Sequence, residues 1–262
     1  MLAAMNVVVT GGNRGIGYAV CAELARQGHR VVVVARDAAA GERAVRSLPG
    51  EVTLVQGDLS TVAGMWALAE RLRSACPEID VLVHNAGLWP SKLTLTSDGL
   101  EEAFAVNHLA PFTLNRLLEG HLKRVVQVSA GLYVKGRADP DRTPYGKDFH
   151  PLRTYADTKL CNVLTLRPFA ERWQARGLTI DAVHPGVINT GLGARGGPVG
   201  LLLKVAKRFW KTPAQGAEPV VALTAKSTSG RYYDERDEIE MTTDPALGLR
   251  LWEQAEKLSG VA

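Results

Sequence analysis

Asn6-Val7-Val8-Val9-Thr10-Gly11-Gly12-Asn13-Arg14-Gly15-Ile16-Gly17 decides the fold. Its first five residues are a largely β-branched run, which reads as a short strand buried on both faces. Glycines then punctuate the chain at 11, 12, 15 and 17, and a helical pattern follows through Ala19, Val20, Leu24 and Ala25. Strand, glycine turn and helix is the order in which backbone N–H groups and a helix N-terminus receive a pyrophosphate. Glycine is required there where the backbone turns tightly or a cofactor approaches too closely for a Cβ. The spacing is Gly-x-x-x-Gly-x-Gly, a variant of the commoner Gly-x-Gly-x-x-Gly.

Outward from that stretch, strands and helices keep alternating. Arg30–Val34 reads as a strand running into Ala35-Arg36-Asp37, and Ala38–Leu48 as a helix. A strand at Val52–Gln56 meets Gly57-Asp58-Leu59, and a helix at Thr61–Ala75 follows. Ile79–Val83 is a fourth strand, closing in His84-Asn85-Ala86-Gly87. Asp98–Leu118 is a long amphipathic helix, and Arg124–Val128 a strand that delivers Ser129. The next helix carries Tyr155 and Lys159 to about Arg176, with Pro168 placed to bend it. A strand at Leu178–Val183 ends in His184-Pro185-Gly186-Val187-Ile188-Asn189-Thr190. A helix at Pro213–Ala225, a strand at Arg231–Tyr233 and a helix at Pro245–Leu258 complete the chain.

This alternation predicts an α/β protein: a Rossmann-type, doubly wound parallel sheet of seven strands, one domain over residues 1–262. Two stretches break the rhythm. Residues 131–153 are polar and rich in Pro and Gly, and read as a loop insertion bordering the site. Residues 191–211 are glycine-rich and then basic and amphipathic, and read as a substrate lid rather than a membrane contact.

Composition narrows the function. At 46% hydrophobic and 22% charged, the chain has the make-up of an ordinary soluble globule. The net charge of +4 comes without a polybasic run interleaved with aromatics, which argues against nucleic-acid binding. Cys21, Cys76 and Cys161 are scattered and odd in number, so neither a disulfide framework nor a metal site is expected. No apolar run approaches the eighteen or so residues of a membrane helix, and a cytoplasmic protein without a stable membrane anchor is expected.

Several residues then stand out at strand ends, where ligands of open α/β sheets sit. NAD sites favour a carboxylate at the second strand's tip; here Ala35 and Arg36 follow the strand, with Arg14 close by. Two guanidiniums suit a 2′-phosphate, so NADP(H) is the expected cofactor; Asp37 takes the carboxylate role only if the strand ends two residues later. Asp58 is placed to meet an adenine amino group or, equally, to cap the following helix. Asn85, Ala86 and Gly87 are small enough for a ribose to pass beneath. Asn107 alone reads as a satisfied amide, and His184 beside Pro185 as a structural strand end. Tyr155 and Lys159, four apart, share one helix face, where an ammonium favours a phenolate and draws its pKa toward neutrality. Ser129 joins them by topology.

Over nearly its whole length the chain resembles the short-chain dehydrogenase/reductase family. The matching elements are Thr10-Gly11-x-x-x-Gly15-Ile16-Gly17, Asn85-Ala86-Gly87, Asn107, Ser129, Tyr155-x-x-x-Lys159 and Pro185-Gly186. The resemblance implies four catalytic residues. Tyr155 is the general acid/base, Ser129 orients the substrate oxygen, Lys159 lowers the tyrosine pKa and binds the nicotinamide ribose, and Asn107 holds a relay water. The cofactor-contacting set it implies is Gly11, Asn13, Arg14, Gly15, Ile16, Gly17, Arg36, Asp58, Leu59, Asn85, Ala86, Gly87, Tyr155, Lys159, Pro185, Gly186, Val187 and Thr190.

Within the family the chain is most similar to the retinol-dehydrogenase-like branch. Phe104–Leu109, the wide gap from Ser129 to Tyr155, Lys211–Ala217 and Ser229–Tyr233 carry that likeness. Members of the branch prefer NADP(H) and act on apolar alcohols and carbonyls, so a reductase of an apolar small molecule is the expected activity. A non-catalytic NADP(H)-binding regulator or scaffold is the alternative, although family relatives of that kind lack the tyrosine or the lysine. Epimerase or dehydratase chemistry on nucleotide sugars is disfavoured by the short C-terminal region. Homo-oligomers are common in the family through the helices at 98–118 and 151–176.

Overall fold

The computed structural model describes residues 3–188 and 211–261. Strand β1 (Asn6–Thr10) is valine-rich because both its faces are buried. Val8 enters the core on one side of the sheet, Val7 and Val9 the core on the other. β2 (Arg30–Ala35) and β3 (Val52–Gln56) extend the sheet on one side of β1; β4 (Ile79–His84), β5 (Leu122–Val128) and β6 (Thr179–His184) extend it on the other. β7 (Tyr232–Asp234) and β8 (Asp237–Ile239) finish the order β3-β2-β1-β4-β5-β6-β7-β8. Every pairing is parallel except β7 with β8. Strand order reverses between β1 and β4, the switch point at whose carboxyl end a crevice opens.

The sheet therefore has eight strands where seven are expected. The additional strand is three exposed residues, Asp237-Glu238-Ile239, with neither an apolar run nor alternation to betray it. It folds back on β7 through a turn in which Glu235 has φ +55°.

Helices cover both faces, as βαβ crossovers require. α1 (Gly15–Arg26), α2 (Ala38–Ser47) and α7 (Pro213–Thr224) lie on one side. On the other lie α3 (Val62–Ala75), α4 (Glu102–Phe104), α5 (Ala110–Leu117), α6 (Pro151–Trp173) and α8 (Pro245–Ser259). The single long helix expected at 98–118 is instead α4 and α5 joined by one π-helical turn, Ala105–Leu109, with Asn107 inside it. Residues 131–153 hold two 3₁₀ turns and bury Tyr133, Thr143 and Pro144.

α6 runs through Pro168 without a break. Proline has no N–H to offer the carbonyl four residues back, that of Leu164. Gly248 of α8 packs on that carbonyl so tightly that a Cβ would sit 2.8 Å from it. Trp252 of α8 wedges between Phe112 of α5 and Phe169 of α6, with ring centroids 4.8 and 4.5 Å away. α8 thus covers the face shared by α5 and α6, the helices through which an oligomer is expected to form.

One buried ion pair ties the late strands together. Arg124 on β5 donates to Asp181 on β6 at 2.7 Å, with side chains 6% and 0% exposed. The same guanidinium reaches the Leu223 and Thr228 carbonyls and Thr179 Oγ1. Asp181 also accepts from Thr228 Oγ1 and the Arg231 amide, fixing the entry into β7. Breaking such a pair leaves an uncompensated charge in the interior. Arg124→Leu is therefore expected to lower the free energy of unfolding by about 3–5 kcal/mol, read by urea denaturation, with Arg124→Leu/Asp181→Leu recovering part of the loss.

Candidate active site

The glycine turn is held by the Gly11 amide, which donates to the Val34 carbonyl at 2.8 Å, and by side chains. Thr10 Oγ1 accepts from the Asn85 and Ala86 amides, each at 3.0 Å. Asn85 Nδ2 returns the contact to the carbonyls of Thr10 (2.9 Å) and Gly11 (3.2 Å). This locks the β1 turn to the β4 turn. Gly17 has no room for a side chain, since a Cβ would lie 2.3 Å from Asn85 Nδ2. Arg14 stands at the N-cap of α1 without making a side-chain cap, so the first-turn N–H groups receive no side-chain oxygen from that position. Unsatisfied donors at a helix N-terminus suit a pyrophosphate.

A cleft of about 640 Å³ runs along the carboxyl edge of the sheet from this turn. Of the expected cofactor residues, Gly11, Asn13, Arg14, Gly15, Ile16, Arg36, Asp58, Leu59, Asn85, Ala86, Gly87, Tyr155, Lys159, Pro185 and Gly186 line it. Gly17 does not line it and acts from behind, through Asn85. Val187 does not line it either; the next residue, Ile188, does. Thr190 lies outside the described residues, as does the expected lid except for Lys211.

At the adenosine end, β2 stops at Ala35, and Arg36 and Arg14 both reach the cleft. Asp37 caps α2, its carboxylate accepting from the Ala40 amide at 2.9 Å. Arg36 is 70% exposed and lies 3.8 Å from the Glu102 carboxylate. Asp58 does not cap α3, a task Thr61 performs; it accepts instead from the Ser60 amide and hydroxyl. Val106, from the π-helical turn, adds an apolar wall.

The opposite end gathers Ser129, Tyr155 and Lys159. They come together because β5 and α6 are consecutive and α6 crosses the end of β5. Lys159 is buried, and its Nζ donates to the Val128 carbonyl at 3.1 Å. Desolvation pulls this ammonium down to about 8. Burial pushes the Tyr155 phenol upward, with Lys159 Nζ 5.7 Å from the ring centre. In the folded chain by itself, then, burial outweighs the lowering expected from the lysine.

Asn107 is fully buried and all its side-chain polar atoms are engaged. Oδ1 accepts from the Leu88 amide (2.8 Å), and Nδ2 donates to the Leu88 carbonyl (2.9 Å) and to Thr158 Oγ1 (3.1 Å). Its main-chain carbonyl, part of the π-helical turn, accepts from Asn162 Nδ2 at 2.7 Å. Asn107 is thus a clamp between α6 and the turn after β4. A Cβ placed on Gly87 would be 3.3 Å from Asn107 Oδ1 and 3.9 Å from Lys159 Nζ, so the two flank that glycine.

Seven buried side-chain polar atoms among the described residues lack a hydrogen-bond partner; two of them, Ser129 Oγ and His184 Nδ1, belong to residues that line the cleft with Tyr155, a third, Trp89 Nε1, to the ring stacked on it, and a fourth is Tyr232 OH. Buried polar groups are nearly always paired, so such a concentration marks a place built to meet something else. Burial raises the Tyr232 phenol, and no well-formed hydrogen bond joins it to the Ser129 hydroxyl nearby. His184, which the sequence offers only as a strand end, presents its ring to the cleft beside Gly131. Trp89 and Tyr232 went unassigned in the sequence. The one available signal for Trp89 was its position two residues after Asn85-Ala86-Gly87.

Among the described residues no group of three His, Cys, Asp or Glu is placed to hold a metal, and no helix is long and apolar enough to cross a membrane. The arrangement suits chemistry on a dinucleotide. Its donors fit a pyrophosphate, its arginines an adenosine phosphate, and its phenol and ammonium a reacting oxygen and a ribose.

Residues 5–197 match the family model described as short chain dehydrogenase. The chain is similar to retinol dehydrogenase 14 of Homo sapiens, 32% identical over 97% of this chain and 86% of that one. It is also similar to a Streptomyces sp. (strain C5) protein, DnrU, provisionally named a daunorubicin C-13 ketoreductase, at 35% identity over 99% of this chain and 94% of that one. The crystal structure of an uncharacterized protein from Mycobacterium Paratuberculosis superposes with a TM-score of 0.81 at 27% identity, covering 98% of this chain and 94% of that one. The chain belongs to the short-chain dehydrogenase/reductase family, in its retinol-dehydrogenase-like branch.

Proposed function

We propose that this protein is an NADP(H)-dependent oxidoreductase that moves hydride between the nicotinamide and the carbonyl or alcohol carbon of an apolar small molecule, working as a reductase. The observation that carries the reading is the convergence of Ser129, Tyr155 and Lys159 at one end of a dinucleotide-sized cleft. NADPH, when bound, supplies the hydride. Tyr155 donates its proton to the substrate oxygen as that oxygen gains charge. Burial keeps this phenol protonated at neutral pH, the form from which a proton passes to the substrate oxygen during reduction. The Ser129 hydroxyl, lacking a partner in the folded chain, donates to the same oxygen and orients it. Lys159 holds the nicotinamide ribose through its ammonium, and Arg14 and Arg36 grip the 2′-phosphate. The names of the relatives, one for an alcohol and one for a ketone, support substrates of this class. A non-catalytic scaffold is the weaker reading; the presence of both Tyr155 and Lys159 beside Ser129 in the cleft supports catalysis over it.

Tyr155→Phe is expected to cut kcat by about 10²–10⁴-fold in an NADPH-oxidation assay with apolar ketones and aldehydes, while NADPH binding persists. Full turnover by that variant would refute the mechanism. Fluorescence titration should show preference for NADPH over NADH. Arg36→Ala is expected to weaken NADPH binding by about tenfold and to leave NADH binding unchanged. The ammonium of Lys159 is the form that binds the ribose, and its pKa lies at about 8 in the free protein. NADPH affinity is therefore expected to hold steady below that pH and to fall as pH rises through it, with Lys159→Met showing a flat profile.

A further inference from the structure

We propose that Trp89 is a positioning residue for Tyr155, its indole fixing the plane of the phenol ring and keeping water from one face. The proposal rests on the functional reading above, in which Tyr155 is the proton donor. The two rings are parallel, with centroids 4.8 Å apart and planes 7° from each other. Offset parallel stacking of this kind is favourable beyond the area it buries. Lys159 Nζ lies 5.7 Å from the centre of the same ring, so the phenol orientation is set by an indole and an ammonium together.

Trp89 is itself held from both sides. Leu88, just before it, has both its peptide N–H and its carbonyl bonded to the buried side chain of Asn107. Pro90, just after it, is buried, and a residue preceding proline is confined to extended backbone. The indole therefore hangs from a short rigid segment clamped to the π-helical turn. A buried tryptophan usually finds an acceptor for its N–H. Here Nε1 is buried with none. The fold accepts an unsatisfied donor at this place, which identifies the stack rather than a hydrogen bond as the contact that fixes the ring.

Holding a reacting group within a narrow range of orientation is worth much of its catalytic effect. Trp89→Ala is expected to lower kcat about tenfold while the KM for NADPH stays within about twofold. Water reaching the exposed face would favour the phenolate, so the reductive rate of Trp89→Ala should begin to fall at lower pH than that of the unmodified enzyme. Trp89→Phe keeps a ring against Tyr155 and should restore most of the rate and the pH profile. In parallel, a fluorotyrosine placed at position 155 should show a ¹⁹F resonance displaced by the indole ring current, lost in Trp89→Ala. Unchanged kcat and pH profile in Trp89→Ala, equal losses in both variants, or an unmoved ¹⁹F resonance would each overturn the proposal. If the unmodified protein turns over no carbonyl compound, the functional reading fails, and the ¹⁹F resonance still decides whether Trp89 sets the ring.

Discussion

Lys159 is a buried ammonium that, among the described residues, has one carbonyl for a partner and no carboxylate paired with it. Most of what distinguishes this fold follows from tolerating that charge. Burial strips it of most of its water, and that desolvation brings its pKa to about 8 from an ordinary value of 10.5. The charged form is disfavoured by folding, so the cost is fully present below about pH 8 and is relieved as pH rises toward 10.5. A group held this way is completed by whatever supplies oxygens to the cleft.

The same burial shapes Tyr155, Ser129 and Trp89. A phenol pushed upward by burial, a hydroxyl without a partner and an indole N–H without an acceptor are each unfavourable alone. They occur together at the carboxyl edge of the sheet, while the surrounding core is closely packed. The stabilising contacts lie elsewhere: in the valine strands, in the Arg124–Asp181 pair under β7, and in the wedge of Trp252 between α5 and α6. Separating a rigid support from an unsatisfied site is how a fold keeps a reactive arrangement in place.

The link between support and site is a polar one. Asn107 joins the β4 turn to α6, Asn162 donates to the Asn107 carbonyl, which Pro111 four residues on has no N–H to meet, and Thr158 completes the triangle. Asn162 also engages His108, whose imidazole is buried and held down at about 4, hence neutral. A π-helical turn is often found at functional sites, and here it aims Asn107 at Leu88 and Val106 at the cleft.

The sequence alone determined the parallel α/β sheet, because β-branched runs, glycine turns and amphipathic helices are local patterns set by backbone sterics and side-chain period. It also determined the grouping of Ser129, Tyr155 and Lys159, because strand ends and helix faces follow from those elements. The eighth strand escaped it, since three polar residues become a strand only when β7 offers an edge to pair with. The π-helical turn escaped it as well, because the bonds that favour it come from Leu88, Thr158 and Asn162, distant along the chain. Only the tertiary structure decided that Ile188 lines the cleft where Val187 does not, and that Trp89 stacks on Tyr155. Those outcomes depend on long-range packing and desolvation, which no run of neighbouring residues encodes.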